Sequence, residues 1–114
     1  MYIEFKTSKL RKCCESFDSG RQEWGDAITR KVVQRIAALK AALYIEELSP
    51  LPPLRCHALH GNREGQYAMD LGHPHRLVFE LLNEPRQIDT EPGSLPETGV
   101  RILGVEDYHG KSRG

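Results

Sequence analysis

The chain has 114 residues, with 16 lysines and arginines against 16 aspartates and glutamates, and 39% of its residues are hydrophobic. This length fits one domain, residues 1–114, which can bury roughly two-thirds of its unfolded surface without disulfides or a metal. The composition excludes a disordered tail, and the zero net charge gives no general argument for nucleic-acid binding while leaving room for a local basic groove. No apolar run approaches the roughly 20 residues of a membrane helix and no signal-peptide core is found, so we expect a cytoplasmic protein without membrane contact.

The first part of the chain predicts a strand and a short helix. Residues 2–6 alternate polar and apolar side chains, as a strand with one buried face does. Ser8 is a candidate cap for a helix over residues 9–15. Residues 17–20, which include a serine and a glycine, are predicted to break that helix.

A second, longer helix is predicted from about residue 26 to residue 43, because apolar residues recur there every three or four positions. The apolar stripe consists of Ile28, Val32, Ile36, Leu39 and Leu43, and the basic residues Arg30, Lys31, Arg35 and Lys40 fall largely off it. A further turn over residues 45–48 ends before Pro50, and Pro52-Pro53 predicts an extended link.

In the second half of the chain, the apolar residues follow the alternating pattern of β-strands. Residues 66–71 alternate, residues 72–74 contain turn formers, and residues 75–82 are typical of a buried strand, so the three segments predict a hairpin. Residues 83–99 hold three prolines and two glycines, which predicts a long loop. Residues 100–105 are apolar on both faces and predict a central last strand. The order strand, helix, helix, three strands indicates an α+β fold with a helical pair packed on one sheet face.

The densest polar cluster is Arg55-Cys56-His57-Ala58-Leu59-His60-Gly61-Asn62-Arg63-Glu64-Gly65. A solvated loop whose glycines turn the chain is one interpretation of it. The other is a functional loop held by a rigid sheet. A metal site is not predicted, because adjacent ligands such as Cys56 and His57 do not match zinc spacing. The three cysteines, Cys13, Cys14 and Cys56, are expected to be reduced thiols.

Acid–base chemistry on a phosphodiester remains open for this cluster. Such cleavage needs a base, an acid and fixed positive charge at the phosphate. Histidine fills either proton-transfer role, and arginine holds two phosphate oxygens at once. The candidates are His57 and His60 on the loop, Arg76 early on the second hairpin strand, and Tyr108 and His109 after the last strand. A serine-hydrolase elbow and a Walker-type phosphate loop are both missing.

The sequence resembles the HigB-like killer toxins of the RelE/ParE superfamily. Their pattern is a helical hairpin, a Leu-Pro-Pro link, His-x-Leu-Lys-Gly-Asp-Arg-x-Gly, a strand with Arg-(Leu/Ile)-x-Phe and a closing Asp-Tyr-His. The corresponding segments here are Leu51-Pro52-Pro53, the stretch from His57 to Gly65, Arg76-Leu77-Val78-Phe79 and Asp107-Tyr108-His109. The resemblance covers essentially the whole chain, with two departures. His60 stands where the family usually has lysine, and the near-neutral total charge is unlike the basic surface expected of a ribonuclease that acts on the ribosome.

The resemblance implies a RelE-like fold, a small and mainly antiparallel sheet with an N-terminal helical hairpin packed on one face. It also implies a type II toxin that cuts mRNA on the ribosome without a cofactor. The partner would be a helix-turn-helix antitoxin of the HigA type. The toxin would contact operator DNA only through this antitoxin. Cleavage would depend on His57, His60, Arg76, Tyr108 and His109, and Arg55 and Arg63 would contact RNA, with bracing of the loop as a second role for Arg63.

The alternative is a non-enzymatic binder on the same fold. ParE-type relatives poison DNA gyrase without cutting RNA, and other members could persist as antitoxin-binding or operon-regulating partners. The set of histidines favours the nuclease, whereas the zero net charge and His60 favour the binder.

Overall fold

The computed structural model describes residues 1–82, residues 99–107 and the backbone of residues 112–113. The helices in this part of the chain are α1 (Ser8–Glu15), α2 (Phe17–Trp24) and α3 (Asp26–Ala41), with short 3-10 helices at Ile45–Glu47 and Gly61–Arg63. The strands are β1 (Tyr2–Phe5), β2 (His57–Ala58), β3 (Gln66–Asp70), β4 (His75–Leu81), β5 (Gly99–Asp107) and β6 (Ser112–Arg113). The loop predicted over residues 83–99 lies outside the described residues except for Gly99, which opens β5.

The strands form one sheet in the order β1-β5-β4-β3-β2, with β6 also paired to β5. Strand β1 runs parallel to β5, and the other pairings are antiparallel. The predicted hairpin is confirmed as β3 and β4, and the last long strand is central, as predicted from its apolar composition. The predicted α+β class with a mainly antiparallel sheet is therefore confirmed.

The hydrophobic core lies between the helices and one face of this sheet. Helix residues Leu10, Val32 and Leu39 pack in one cluster with Leu77, Phe79 and Ile102 of the two central strands. All six are at most 1% exposed to solvent. None of the described helices has the length and apolar character needed to cross a membrane.

Helix α3 follows the sequence prediction closely, except at two residues. It begins at Asp26, after Gly25, and buries Val32 and Leu39 of the predicted stripe. The helix ends at Ala41, so Leu43 falls outside it and is 67% exposed, which contradicts its predicted core position. Arg35 is buried although it was placed off the stripe, because its side chain hydrogen-bonds to backbone carbonyl oxygens.

The predicted helix break at residues 17–20 is wrong, since these residues begin α2. The Ser16 side chain caps the new helix by accepting a hydrogen bond from the Ser19 backbone N–H at 3.4 Å. Gly20 is kept inside the helix because its neighbours leave no room for a side chain. A Cβ there would lie 2.6 Å from the Cys13 carbonyl oxygen and 2.8 Å from Thr29 Cγ2. The helical hairpin is therefore a three-helix layer.

Two smaller expectations are also corrected. The cap of α1 is Thr7, one residue earlier than predicted, and its hydroxyl accepts from the Leu10 N–H at 3.1 Å. The link through Pro52-Pro53 is a turn and not an extended segment, closed by the Arg55 N–H donating to the Leu51 carbonyl at 3.0 Å. This turn reverses the chain just before β2.

Gly20→Ala is expected to destabilise the protein by about 1–3 kcal/mol, because the added methyl group meets backbone and side-chain atoms of α1 and α3. The matched control is Gln22→Ala at an exposed position of the same helix, which should change stability by less than about 0.5 kcal/mol. Urea denaturation followed by circular dichroism measures both. Equal effects of the two substitutions would contradict the close approach at Gly20.

The three cysteines are free and buried, as expected for reduced thiols. Burial raises the pKa of the Cys14 thiol to about 12 and that of the Cys56 thiol to about 11, and the pKa of Cys13 is raised as well. Because the thiolate is the reactive form, we expect labelling by a thiol reagent at pH 8 to be about 100-fold slower in the folded protein than in urea. Rapid labelling of one thiol in the folded protein would contradict this prediction.

Candidate functional site

The face of the sheet opposite the helices, called here the polar face, carries the candidate residues Arg76 and His57. In β4, Leu77 and Phe79 point into the core, so Arg76 and Glu80 point to the polar face. Residues directly opposite each other on paired strands share a face. The register therefore places Glu106 beside Arg76 and Arg101 beside Glu80 on this face.

A β-bulge in β5 makes this arrangement possible. Val78 pairs with Gly104 and Phe79 with Ile102, so β5 holds one additional residue, Leu103, between the two pairs. Arg101 and Glu106 are five positions apart, and in an uninterrupted strand they would point to opposite faces. The bulge brings both to the polar face, in keeping with the use of bulges to redirect side chains.

His57 lies in the edge strand β2, opposite Ala68 of β3, and its side chain is exposed. Its Nδ1 lies 2.8 Å from the carbonyl oxygen of Arg55. Because a carbonyl oxygen can only accept, this contact requires the proton on Nδ1 and leaves Nε2 of the neutral ring as an acceptor. In this tautomer Nε2 is the ring nitrogen that can accept a proton.

Arg55 contributes this carbonyl from a left-handed backbone conformation, with φ at 46°. That conformation is uncommon for a residue with a Cβ and costs about 1–2 kcal/mol, so neighbouring contacts must hold it. Two hydrogen bonds do so, from the Arg55 N–H to Leu51 and from the Cys56 N–H to the Ser49 carbonyl at 2.9 Å. The Arg55 side chain itself is exposed.

Glu106 joins two of the predicted arginines. Arg63 donates from Nη1 and Nη2 to the two carboxylate oxygens of Glu106, both at 2.6 Å, and from Nε to Gln66 Oε1 at 2.9 Å. Arg76 approaches the same carboxylate with Nη2 3.6 Å from Oε1. The Arg76 and Glu106 side chains are 15% and 14% exposed, and that of Arg63 is 29% exposed. This group of three is called the arginine cluster.

The arginine cluster is electrostatically coupled. Hydrogen bonding to Arg63 holds the pKa of the Glu106 carboxyl below its ordinary range, and the nearby Arg76 charge acts in the same direction. The hydrogen bond to Glu106 likewise raises the pKa of Arg63. With one carboxylate shared by two guanidinium groups, the cluster has a formal charge of +1.

The other end of the polar face has the opposite sign. Arg101 donates to Glu80 Oε1 and to Glu4 Oε2, each at 3.1 Å, so one cation is shared by two carboxylates across three strands. The formal charge of this second group is −1. The two groups on the polar face therefore have opposite formal charges. The register also places Asp70 opposite Arg76, so a further carboxylate lies on the same face beside the arginine cluster.

Buried Arg35 links the helical layer to the candidate site. Its Nε donates to the Asp70 carbonyl at the end of β3 at 2.8 Å, and its Nη2 to the Pro53 carbonyl at 3.2 Å. Desolvation lowers the pKa of this guanidinium. The contact fixes the start of the loop that leads to His57 relative to the hairpin that carries Arg76.

The structure brings some predicted site residues together and separates others. Arg63 and Arg76 meet at Glu106. His60 is exposed and precedes the 3-10 helix at Gly61–Arg63. Tyr108 and His109 lie outside the described residues. Within the described ranges, no three His, Cys, Asp or Glu side chains are grouped closely enough to hold a metal ion.

Sequence reasoning missed Glu106, Gln66 and Arg35 as residues that shape the site. Glu106 adjoins the closing Asp-Tyr-His motif but lies outside it, and only its position opposite Arg76 shows its role. The charge of Glu106 directly after the uncharged run of residues 102–105 was the available signal.

Comparison with solved structures finds bacterial toxins of similar fold. The chain is similar to a YoeB/ParE toxin from Agrobacterium tumefaciens, with a TM-score of 0.60 and 15% identity over 95% of this chain and 99% of the other. It is also similar to the YoeB-YefM complex from Staphylococcus aureus, with a TM-score of 0.55 and 15% identity over 96% and 97% of the two chains. For YafQ from Escherichia coli the TM-score is 0.52, with 15% identity over 94% and 92%. No protein-family model and no curated protein matches the chain.

These likenesses show that the chain has the fold of the YoeB/ParE and YafQ toxins, a RelE-like α+β fold. The narrower resemblance to HigB stays a prediction from the sequence motifs. At these identities the similarity concerns the fold, and the chemistry has to be argued from the polar face.

Glu106→Gln is expected to lower the free energy of unfolding near pH 7 by about 1–2 kcal/mol, because it removes a charged, doubly bonded partner of Arg63. The pKa of Glu106 is lower in the folded than in the unfolded state, so this stabilisation is present above the ordinary glutamate range, about pH 4.3. It is lost as pH falls through the lower folded-state pKa, and wild type and variant should then converge. Urea titrations between pH 3 and pH 7 would measure the difference, and a gap independent of pH would contradict the ion pair.

Proposed function

We propose that the chain is the toxin of a type II toxin–antitoxin system and cleaves mRNA on the ribosome. The observation that carries this proposal is that one face of the sheet holds both His57, whose Nε2 can accept a proton, and the guanidinium of Arg76. From the register, their Cα atoms lie about 12 Å apart, two strand spacings across and two residues along. Their side chains can therefore reach opposite sides of one bound phosphodiester.

The reaction proposed for this site is attack of a ribose 2′-hydroxyl on the neighbouring phosphate. The bond from the 2′-oxygen to phosphorus forms, the bond to the 5′-oxygen breaks, and the products are a 2′,3′-cyclic phosphate and a 5′-hydroxyl. His57 Nε2 would take the proton of the attacking hydroxyl, and His109 would protonate the leaving oxygen. No cofactor takes part in this scheme.

Positive charge would stabilise the phosphorane. Arg76 is the main candidate, supported by its position on the same face as His57, and His60 would assist it when protonated. Tyr108 would orient a base or a proton donor. The exposed Arg55 would contact the RNA backbone beside His57. Arg63, bound on three donors, would hold the loop.

An antitoxin is the proposed protein partner. One of the similar structures is a complex of YoeB with YefM, so a protein of this fold is known in complex with another protein. The sequence motifs favour a helix-turn-helix antitoxin of the HigA type, which would also carry any contact with operator DNA. The proposed location is the cytoplasm, where ribosomes and mRNA are present.

A non-enzymatic role, such as gyrase poisoning of the ParE kind, is the second candidate. It is favoured by the zero net charge of the chain and by the histidine at position 60 in place of lysine. This role would not require His57 or His109.

The deciding experiment is primer extension on a defined mRNA in a purified translation system. We expect discrete cuts that require ribosomes and fall by about 100-fold or more in Arg76→Ala and in His109→Ala, because each loses a group that acts in the transition state. The matched control is Arg101→Ala in the other charged group of the same face, which should cut within about threefold of wild type.

Absence of cuts from folded protein that still binds its antitoxin would overturn the nuclease and favour the binder, with gyrase supercoiling as the next assay. Equal losses in the Arg76 and Arg101 variants would contradict a specific role of Arg76 at the phosphate. Cuts that persist in His109→Ala would remove that residue from the reaction.

A further inference from the structure

In the described part of the chain, the ring of His57 is oriented by the backbone of Arg55. Its Nδ1 lies 2.8 Å from the Arg55 carbonyl oxygen, and the ring is otherwise exposed. The proton of a neutral imidazole can sit on either nitrogen, and the hydrogen bond made by one nitrogen decides the state of the other. The Arg55 carbonyl therefore selects Nε2 as the nitrogen that accepts a proton.

The direction of this carbonyl depends on the left-handed conformation of Arg55, with φ at 46°. An extended or right-handed residue at this position would rotate the peptide unit that joins residues 55 and 56, and with it the carbonyl. A glycine would adopt the left-handed conformation without steric strain. The arginine thus indicates a use for its side chain as well, and the proposed contact with the RNA backbone supplies one.

The conformation of Arg55 is imposed by the anchoring of both its neighbours. On one side, the Leu54 carbonyl accepts a hydrogen bond from the Asp70 N–H at 2.8 Å, at the end of β3. On the other side, the Cys56 N–H donates to the Ser49 carbonyl at 2.9 Å. A residue between two anchored neighbours has little freedom in φ and ψ, so its surroundings determine the strained conformation.

We propose that Arg55 is a positioning residue that acts through its backbone: in the left-handed conformation it presents the carbonyl that keeps the proton of His57 on Nδ1. This inference rests on the proposed function and adds to it which nitrogen of His57 is the base and what fixes that choice. Strained backbone of this kind serves to pre-organise a functional group. The guanidinium of Arg55 takes no part in it, so substitution can separate the two contributions of the residue.

The separating substitutions are Arg55→Asn and Arg55→Val. Both remove the guanidinium, but asparagine tolerates the left-handed region, whereas a β-branched valine is an outlier there. The φ of residue 55 is measured from the coupling constant between its amide and α protons. The tautomer of His57 is measured from the nitrogen chemical shifts of its ring at about pH 8, where histidine is neutral. Both measurements use the full chain without RNA.

In the folded wild type, we expect the ratio of Nδ1–H to Nε2–H in His57 to exceed the ratio in urea by about fivefold, the effect of one hydrogen bond. Arg55→Asn should keep the ratio within about twofold of wild type. In Arg55→Val, residue 55 should leave the left-handed region and the ratio should return to within about twofold of the urea value. His60 is the internal control, and its ratio should be the same in all three folded proteins.

Equal His57 ratios in the folded wild type and in urea would overturn the inference. A folded Arg55→Val protein whose residue 55 has left the left-handed region, but whose His57 keeps the wild-type ratio, would also overturn it. Loss of the ratio in an Arg55→Asn protein that stays left-handed would do the same, because the guanidinium would then be the group that matters. If Arg55→Val does not fold, the wild-type and Arg55→Asn measurements decide.

Ribosome-dependent cleavage, measured alongside, separates this inference from the proposed function. We expect kcat of Arg55→Val to lie about tenfold below that of Arg55→Asn at equal KM, because the two variants differ in how the base is held. Equal kcat values despite different tautomers would overturn the positioning role. A biased tautomer in a protein that does not cut RNA would overturn the proposed function, whereas cutting with an unbiased tautomer would overturn this inference alone.

Discussion

The structure depends on the pairing of β5 between β1 and β4. This strand comes near the end of the chain, yet it joins the first strand in parallel and the hairpin in antiparallel register. Its residues Ile102 and Val105 are fully buried in the core, while Glu106 points to the polar face. The core and the candidate site are thus built on opposite sides of one strand, and neither is complete until residues 99–107 are in place. Strands this distant in sequence pair slowly, because the entropic cost of closing the intervening loop is incurred before the contacts between the strands stabilise the structure.

The charges on the polar face are tolerated because they are compensated locally. The Glu106 carboxylate lies between two guanidinium groups, and the Arg101 guanidinium lies between two carboxylates. Opposite-charge neighbours across a sheet stabilise it modestly. Here they form two separate groups, one with two cations around a carboxylate and one with two carboxylates around a cation.

Much of the fold was predictable, and the misses have identifiable physical causes. Helix α3 and the β3–β4 hairpin were predicted from the spacing of their apolar residues, and the structure has these elements in the same parts of the chain. Helix α2 was missed because Gly20 is ordinarily a helix breaker, whereas here close packing with Cys13 and Thr29 requires it. Arg35 was placed off the apolar stripe by its spacing, yet it is buried, because two backbone carbonyl oxygens accept hydrogen bonds from its side chain.

By itself the sequence determined the α+β class, the succession of the main elements and which residue types are available for chemistry, because these follow from local periodicity and composition. Only the tertiary structure decided that Arg63 and Arg76 share Glu106. The side chain of Glu106 points to the polar face because the additional residue Leu103 reverses the alternation of side chains along β5. Gly104, with φ at 155°, is the one local sign of a bulge within the strand, but its position is fixed only by pairing with β4. The site therefore depends on the pairing register of β4 and β5, which is set only when β5 joins the sheet.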